Sequence, residues 1–328
     1  MRYHMAEFID NIKDCIHKEM QNKFDITVFE SINKGLSHDR KYYIETTKNL
    51  QMLLRVSDAA KYEQIKADFE KMQRMYMEGI PMPQPLELGF CNDDKRVYQL
   101  QTWCEGENLE AILPMLTETE QYVTGLKVGE ILRKIHIVPA PENIENWQKR
   151  YINVISERLQ AYHDCGVRFE GWENIIRYYN DNLHLLRERP QTCLHGDYHA
   201  ENLLRDENGN ISVIDWQILD FSGYGDPWVD FRSDQCASSP HFATGFVRGY
   251  FNSEPTIDFW KLQALYMATG SITAIPWAFY RYPAELDSLV EHNLNILLWF
   301  DNMSNPVPSW YLKDFYIQEK INSLPAMT

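Results

Sequence analysis

Asp197, Asn202 and Asp215 are the residues whose types and spacing most directly suggest chemistry. Asp197 follows His195-Gly196 at the end of a short apolar run, Thr192 to Leu194, and Gly196 lets the backbone turn sharply there. Asn202 lies one loop further on. Leu203-Leu204-Arg205 comes next, then the polar stretch Glu207-Asn208-Gly209-Asn210, then Ile211-Ser212-Val213-Ile214-Asp215. An Asn-Gly turn between two apolar runs predicts a β-hairpin. If Arg205 pairs with Ser212, the same register sets Asn202 opposite Asp215. Phosphoryl transfer asks for a carboxylate near the attacking hydroxyl and for oxygen ligands to Mg²⁺, which bridges the nucleotide phosphates. Asp197 supplies the first; Asn202 and Asp215 supply the second. Each alone reads equally well as a turn residue or a helix cap. It is the set at this spacing that favours chemistry.

The elements that must position these residues fall into two groups. Residues 6–23 carry Phe8, Ile12, Ile16 and Met20 at helical spacing. Strands are predicted at Ile26–Phe29, Tyr42–Thr46, Gln51–Val56 and Val97–Gln101, with a tight connection over Lys34–Arg40. Between the third and fourth lies a helix over 61–78, whose stripe Tyr62, Ile65, Phe69, Met72 and Tyr76 ends at Gly79 and Pro81. After Gly106 helical patterns dominate (119–137, 151–163, 172–187, 257–270 and 284–300), and 192–215 is the one β island. The expectation is an α+β, bilobal, protein-kinase-like fold. A small antiparallel-sheet lobe spans 1–105, and a larger, mainly helical lobe with the catalytic loop spans 106–328.

At these residues the sequence resembles the aminoglycoside phosphotransferase family, a relative of choline, fructosamine and protein kinases. The family's HGDxxxxN run is met by His195-Gly196-Asp197 and Asn202, its IDW/IDF run by Ile214-Asp215-Trp216, and its GDPxxDF segment by Gly225-Asp226-Pro227-Trp228-Val229-Asp230-Phe231. The resemblance runs from about Ile26 to about Phe300 and implies roles. Asp197 would be the catalytic base, and Asn202 and Asp215 would hold Mg²⁺. Asp226 and Asp230 would brace the catalytic loop, and His195 would be structural. Gly35 and Ser37 would lie in the nucleotide-positioning loop. Backbone groups of Thr102 and Cys104 would read the purine edge of ATP or GTP. Where the family places a strand Lys on the α/β-phosphates, paired to a helix Glu, this chain has Arg55, with Glu70 as its expected partner. Arg keeps the charge and can grip phosphate bidentately, but it is bulkier and planar. An enzyme that works with Arg55, and an inactive kinase-like binding protein, both follow from that departure.

Composition bounds the partners. The chain has 328 residues, 44% hydrophobic and 24% charged, with a net charge of −15. Such a surface repels nucleic-acid phosphates and tolerates a cationic small molecule. No apolar run is long enough to span a bilayer and no signal-peptide core is evident, so a cytoplasmic location is expected. The six cysteines form no CxxC pair, which argues against a zinc site. Residues 254–301 interleave Glu254, Asp258, Glu285, Asp287, Glu291 and Asp301 with Trp260, Trp277, Tyr280 and Trp299. Carboxylates beside aromatic faces suit a polyamine sugar or a quaternary ammonium, but exposed carboxylates on helices are routine, and a solvated acidic helix face over an aromatic core is the favoured reading of this stretch. The acceptor implied is an aminoglycoside, an antibiotic-resistance activity; macrolides, choline, amino sugars and fructosamines are alternatives.

Overall fold

The computed structural model describes residues 13–33, 39–216, 221–231 and 239–315. Two compact units divide the chain. One comprises Met1–Gly106 with Leu204–Ile218; the other comprises Glu107–Leu203 with Leu219–Thr328. The hairpin bearing Asp215, expected in the helical part, thus clusters with the sheet unit.

The first unit is built on a five-stranded antiparallel sheet of β1 (Ile26–Ile32), β2 (Arg40–Thr46), β3 (Gln51–Asp58), β4 (Pro85–Cys91) and β5 (Arg96–Thr102), in the order β1-β2-β3-β5-β4. Strand β4 was not anticipated from the sequence. It is an edge strand, and its Pro85 sits at the first position, where a missing N–H costs no ladder bond. Side chains alternate across the sheet. Met52, Leu54 and Val56 of β3 join Tyr42, Ile44, Tyr98 and Leu100 in a core closed by Ile16 and Met20 of a helix over 13–21, here α1.

The opposite face is polar, and it is covered by α2 (Tyr62–Met77). That polarity turns the helix. The expected stripe ran through Tyr62, Ile65, Phe69, Met72 and Tyr76, but the buried residues are Asp68, Phe69, Lys71, Met72 and Met75, and Tyr76 is exposed. Ser57, Gln99 and Gln101 are buried across from them. Buried polar groups need partners, so the helix presents polar side chains to a polar sheet face. Gln99 Nε2 donates to Met72 Sδ at 2.8 Å, and Gln64 Nε2 to Asp68 Oδ1 at 3.1 Å. Strands β6 (Leu203–Arg205) and β7 (Ile211–Val213) form the expected hairpin, and Val213 N–H donates to Pro81 O at 2.8 Å.

The second unit is helical. Helix α4 (Glu118–Ile135) opens on a capping box between Thr117 and Glu120 and packs against α7 (Pro240–Phe251). Glycines set that contact. A Cβ on Gly125 or Gly129 would lie 2.2 or 2.1 Å from the carbonyl oxygens of Phe242 and Phe246. One on Gly245 or Gly249 would lie 2.2 or 2.1 Å from those of Tyr122 and Leu126. Two backbones touch directly, as only glycine permits. Helix α8 (Ile257–Ile272) is apolar nearly all round and is correspondingly buried. It shares a core with Trp147, Tyr151 and Ile155 of α5 (Trp147–Cys165) and Tyr179 of α6 (Trp172–Asn182). Among the described residues, no helix is long and apolar enough to cross a membrane.

Candidate active site

Asp197 and Asn202 are brought together in the helical unit. Gly196 takes φ +89°, and a Cβ there would meet nothing within 4 Å. The glycine is needed for its backbone angle rather than for space. The loop then closes in a turn at Ala200–Asn202, with Asn202 N–H donating to His199 O at 2.9 Å. Asn202 is buried, and its Nδ2 donates to Asp197 O at 3.0 Å and to Asp197 Oδ2 at 3.1 Å. His199 Nε2 lies 3.3 Å from the same Oδ2 and 3.2 Å from Asn202 Nδ2. One ring nitrogen can donate to the carboxylate or accept from the amide, but not both. The Asp197 side chain is 27% exposed. It is a partly exposed carboxylate with one oxygen held by Asn202.

The loop is fixed from behind. Asp230 accepts from His195 N–H at 2.7 Å and Gly196 N–H at 2.9 Å, and meets His136 Nε2 at 3.1 Å. Burial raises the Asp230 carboxyl pKa. The His136 hydrogen bond and charge, then His195 and the Gly196 amide, outweigh this and hold it below the usual carboxylate range. Tyr198 is fully buried and donates to Val128 O at 2.8 Å, anchoring the loop to the glycine-packed helix pair. Asp226 does a related job one step removed. It holds Arg189 through Nε at 2.5 Å and Nη2 at 3.0 Å and accepts from Tyr266 at 2.8 Å. Arg189 also stacks 3.7 Å over the Trp228 ring. His136, Arg189 and Tyr266 were missed in the sequence. Each is a lone polar residue in a helical or loop stretch, and only the fold shows that it faces a motif aspartate.

Asp215 and Arg55 are brought together in the sheet unit. Arg55 Nη1 donates to Asp215 Oδ1 at 2.7 Å, and Nη2 lies 3.6 Å from Asp39 Oδ2. Asp215 takes φ +59°, a left-handed conformation unusual for a residue with a Cβ. Asp39 is itself paired with Lys61 at 3.3 Å. Burial opposes ionisation of Asp39, but Ser57, Lys61 and Arg55 lower its pKa overall.

Two expectations are corrected. Arg55 does not meet Glu70, which points to the far side of α2, 63% exposed and 4.0 Å from Lys66. The polar sheet face draws Asp68 and Lys71 inward and so turns Glu70 out. The hairpin turn closes with Asp206 N–H donating to Asn210 O at 3.0 Å, where pairing Arg205 with Ser212 would set Asp206 against Ile211. The cause is the Asp206 side chain, which accepts from the amides of Asn208 and Asn210 at 2.9 and 2.8 Å and tightens the turn. Thr102 N–H donates to Gln84 O at 2.9 Å, so of its backbone groups the carbonyl is the one left for a purine. Backbone groups of Cys104 make no backbone hydrogen bond among the described residues. Gly35 and Ser37 lie outside the described residues. In the acidic-aromatic stretch, Glu254 is bound to Arg248 and Tyr311, and Trp260 is buried. Asp258, Asp287, Glu291, Trp277 and Tyr280 are exposed.

The donor chemistry fits a hard divalent cation. Asp215 offers a carboxylate that is 35% exposed. Asn202 makes its hydrogen bonds through the amide nitrogen, which leaves the amide oxygen as a ligand. Mg²⁺ takes one or two such oxygens and completes its shell with phosphate and water. No three His, Cys, Asp or Glu side chains cluster as a metal-holding group among the described residues.

Residues 28–261 match the model of the phosphotransferase enzyme family. The chain belongs to that family. Among solved structures, an amicoumacin kinase in complex with AMP-PNP, Ca²⁺ and Ami superposes with a TM-score of 0.60 at 12% identity, over 89% of this chain and 95% of that one. The ADP-bound aminoglycoside phosphotransferase APH(2″)-Ib does so with a TM-score of 0.60 at 14% identity, over 86% and 98%. These likenesses place the fold among kinase-like folds. Among curated proteins, mouse (Mus musculus) acyl-CoA dehydrogenase family member 10 is 22% identical over 262 residues, 70% of this chain and 23% of that protein. The chain spans about a quarter of the length of that relative.

Proposed function

We propose that this phosphotransferase-family member is a cytoplasmic, Mg²⁺-dependent kinase that moves the γ-phosphate of ATP or GTP to a hydroxyl of a small polar acceptor. The observation that carries the reading is the Asp197 carboxylate, held by Asn202 and partly exposed, in a loop whose amides are fixed by Asp230. An acceptor hydroxyl placed against Asp197 hands its proton to that carboxylate as its own oxygen bonds to the γ-phosphorus and the bond to the leaving nucleoside diphosphate breaks. Asn202 keeps the carboxylate aimed, so the rotamer entropy is lost on folding rather than at reaction. Mg²⁺, held by the Asn202 and Asp215 oxygens, would neutralise charge on the phosphates.

An aminoglycoside-type acceptor is the reading we favour. The net charge of −15 favours a cationic molecule, and Asp258, Asp287 and Glu291 are exposed, as are Trp277 and Tyr280. Macrolides, choline, amino sugars and fructosamines are the other candidates. A kinase-like binding protein without turnover is the second reading, favoured by the Arg55 guanidinium seated on Asp215. An ADP-release assay over an acceptor panel separates them. Turnover that falls about 10²- to 10⁴-fold in Asp197→Asn, with nucleotide binding kept, supports the kinase. Mg²⁺-dependent nucleotide binding with no turnover on any acceptor supports the binding protein.

A further inference from the structure

Phe221, Ser222 and Gly223 take φ of +53°, +53° and +74° in succession. Residues with a Cβ visit the left-handed region at a cost, and then singly. Two other such runs, Asn92–Asp94 and Asp301–Met303, open on Asn or Asp, whose short polar side chains tolerate it. This run opens on a phenylalanine followed by a serine. A costly backbone persists only where its surroundings over-determine it.

Helix α5 supplies those surroundings. Trp147, Arg150 and Tyr151 stand at i, i+3 and i+4, on one face of the helix, and that face closes on the turn. The Phe221 ring stacks on Tyr151 and meets Trp147 edge-on, with centroids 5.8 and 4.7 Å apart. Arg150 Nη2 donates to Phe221 O, and Nη1 donates to Tyr224 O at 3.0 Å and to Gln191 Oε1 at 2.6 Å. All three oxygens are neutral, so the guanidinium is spent on the turn and its neighbour rather than on a carboxylate.

The turn in turn holds the strand that leads into the catalytic loop. Gly223 O accepts from Leu194 N–H at 2.9 Å, and Tyr224–Gly225 pairs antiparallel with Thr192–Cys193. Gln191 directly precedes that strand, and His195-Gly196-Asp197 directly follows Leu194. A pair two residues long has few bonds of its own to keep its register. On its other side the strand is held by Cys193 N–H donating to Val138 O and by Ala140 N–H donating to Gln191 O. Without Arg150 the strand therefore stays in place while Phe221 and Ser222 relax to ordinary backbone. That relaxation turns the Gly223 carbonyl away from Leu194, three residues before Asp197.

We propose that Arg150 is a positioning residue for Asp197, which it aims by holding the left-handed turn Phe221–Gly223 against the strand that carries the catalytic loop. This rests on the kinase reading above. The test combines turnover with amide hydrogen exchange on the full chain. Arg150→Ala should lower kcat, counted per Mg·ATP-binding site, by about tenfold to a hundredfold while Mg·ATP affinity stays within about twofold. Counting per binding site removes any loss of folded protein. Ser222 is exposed, so Ser222→Gly relieves the turn without removing a buried contact. Added to Arg150→Ala, it should recover several-fold of the lost kcat, because glycine meets no cost at this φ. Exchange at Leu194 should quicken about tenfold in Arg150→Ala, with the Gly125–Gly249 helix pair unchanged. An unchanged kcat per site, or a double variant no better than Arg150→Ala, overturns the proposal and leaves the kinase reading standing. A wild-type chain that turns over no acceptor overturns the kinase reading instead. The exchange result still decides whether Arg150 holds the loop: an unchanged rate at Leu194, or one raised equally across the chain, refutes it.

Discussion

Asp230 and Asp215 are the same residue type in neighbouring motif runs, and their surroundings give them opposite work. Asp230 is buried to 1% exposure and meets two backbone amides and a buried histidine. Three of the roughly four directions from which a carboxylate can accept are supplied by the protein itself. Asp215 is 35% exposed, sits at φ +59° and holds one guanidinium. A partner of that kind can be exchanged for a ligand; two backbone amides cannot. The loop around Asp197 is therefore built rigid, whereas the Arg55–Asp215 pair would, on the proposed reading, trade partners. Burial and the type of donor, not the motif letters, separate bracing from chemistry.

The largest effect that could break this comparison is on stability. Asp230→Ala strands the His195 and Gly196 amides and His136 in the core, and a buried pair broken on one side costs about 3–5 kcal/mol. Asp215→Ala leaves Arg55 its contact with Asp39, so about 1–2 kcal/mol is expected. Urea denaturation followed by tryptophan fluorescence measures both. Equal losses would show that Asp215 is as structural as Asp230.

A second test uses acid. The Asp230 pKa is held below its ordinary value, so its contribution is present above the unfolded carboxyl pKa, near 4, and is lost as pH falls through the lower folded value. Asp39 acts in the same direction within the other unit. The melting temperature should therefore fall steeply below about pH 4, and Asp230→Asn, which never carries the charge, should flatten part of that fall. Each pKa unit of depression corresponds to about 1.4 kcal/mol. A wild-type profile and an Asp230→Asn profile of equal slope would remove the charge from the bracing argument.

Much of this was legible in the sequence, for a physical reason. Local signals such as the Gly196 turn, the Asn-Gly hairpin and the alternation of β2 and β3 are written within a few residues of where they act. The Asp197–Asn202 contact is of this kind, because both residues lie in one loop. What could not be read is what depends on orientation between elements. The turn of α2 that buries Asp68 and Lys71 and expels Glu70 follows from the polarity of a sheet face that only the assembled strands define. Arg189 reaches Asp226, and His136 reaches Asp230, across long stretches of chain with no spacing rule to announce them. Strand β4 failed to register because Pro85 and Gly89 blur its alternation.

The smallest test isolates the backbone at Asp215. Asp215→Ala and Asp215→Gly both remove the carboxylate and leave Arg55 with Asp39 alone, so their electrostatic losses are equal. They differ in the Cβ, which at φ +59° crowds the following carbonyl at a cost of about 1 kcal/mol. Glycine meets no such cost, though its unfolded chain is freer. If the fold holds Asp215 in this conformation by its own packing, Asp215→Gly should be more stable than Asp215→Ala by up to about 1 kcal/mol. If instead the ion pair alone holds the left-handed backbone, both variants relax to an ordinary conformation. Alanine is then the more stable of the two, because it loses less chain entropy. The sign of this difference tells whether Asp215 is presented to its ligand by the scaffold or only by Arg55. It carries the contrast with Asp230 down from side chains to the main chain.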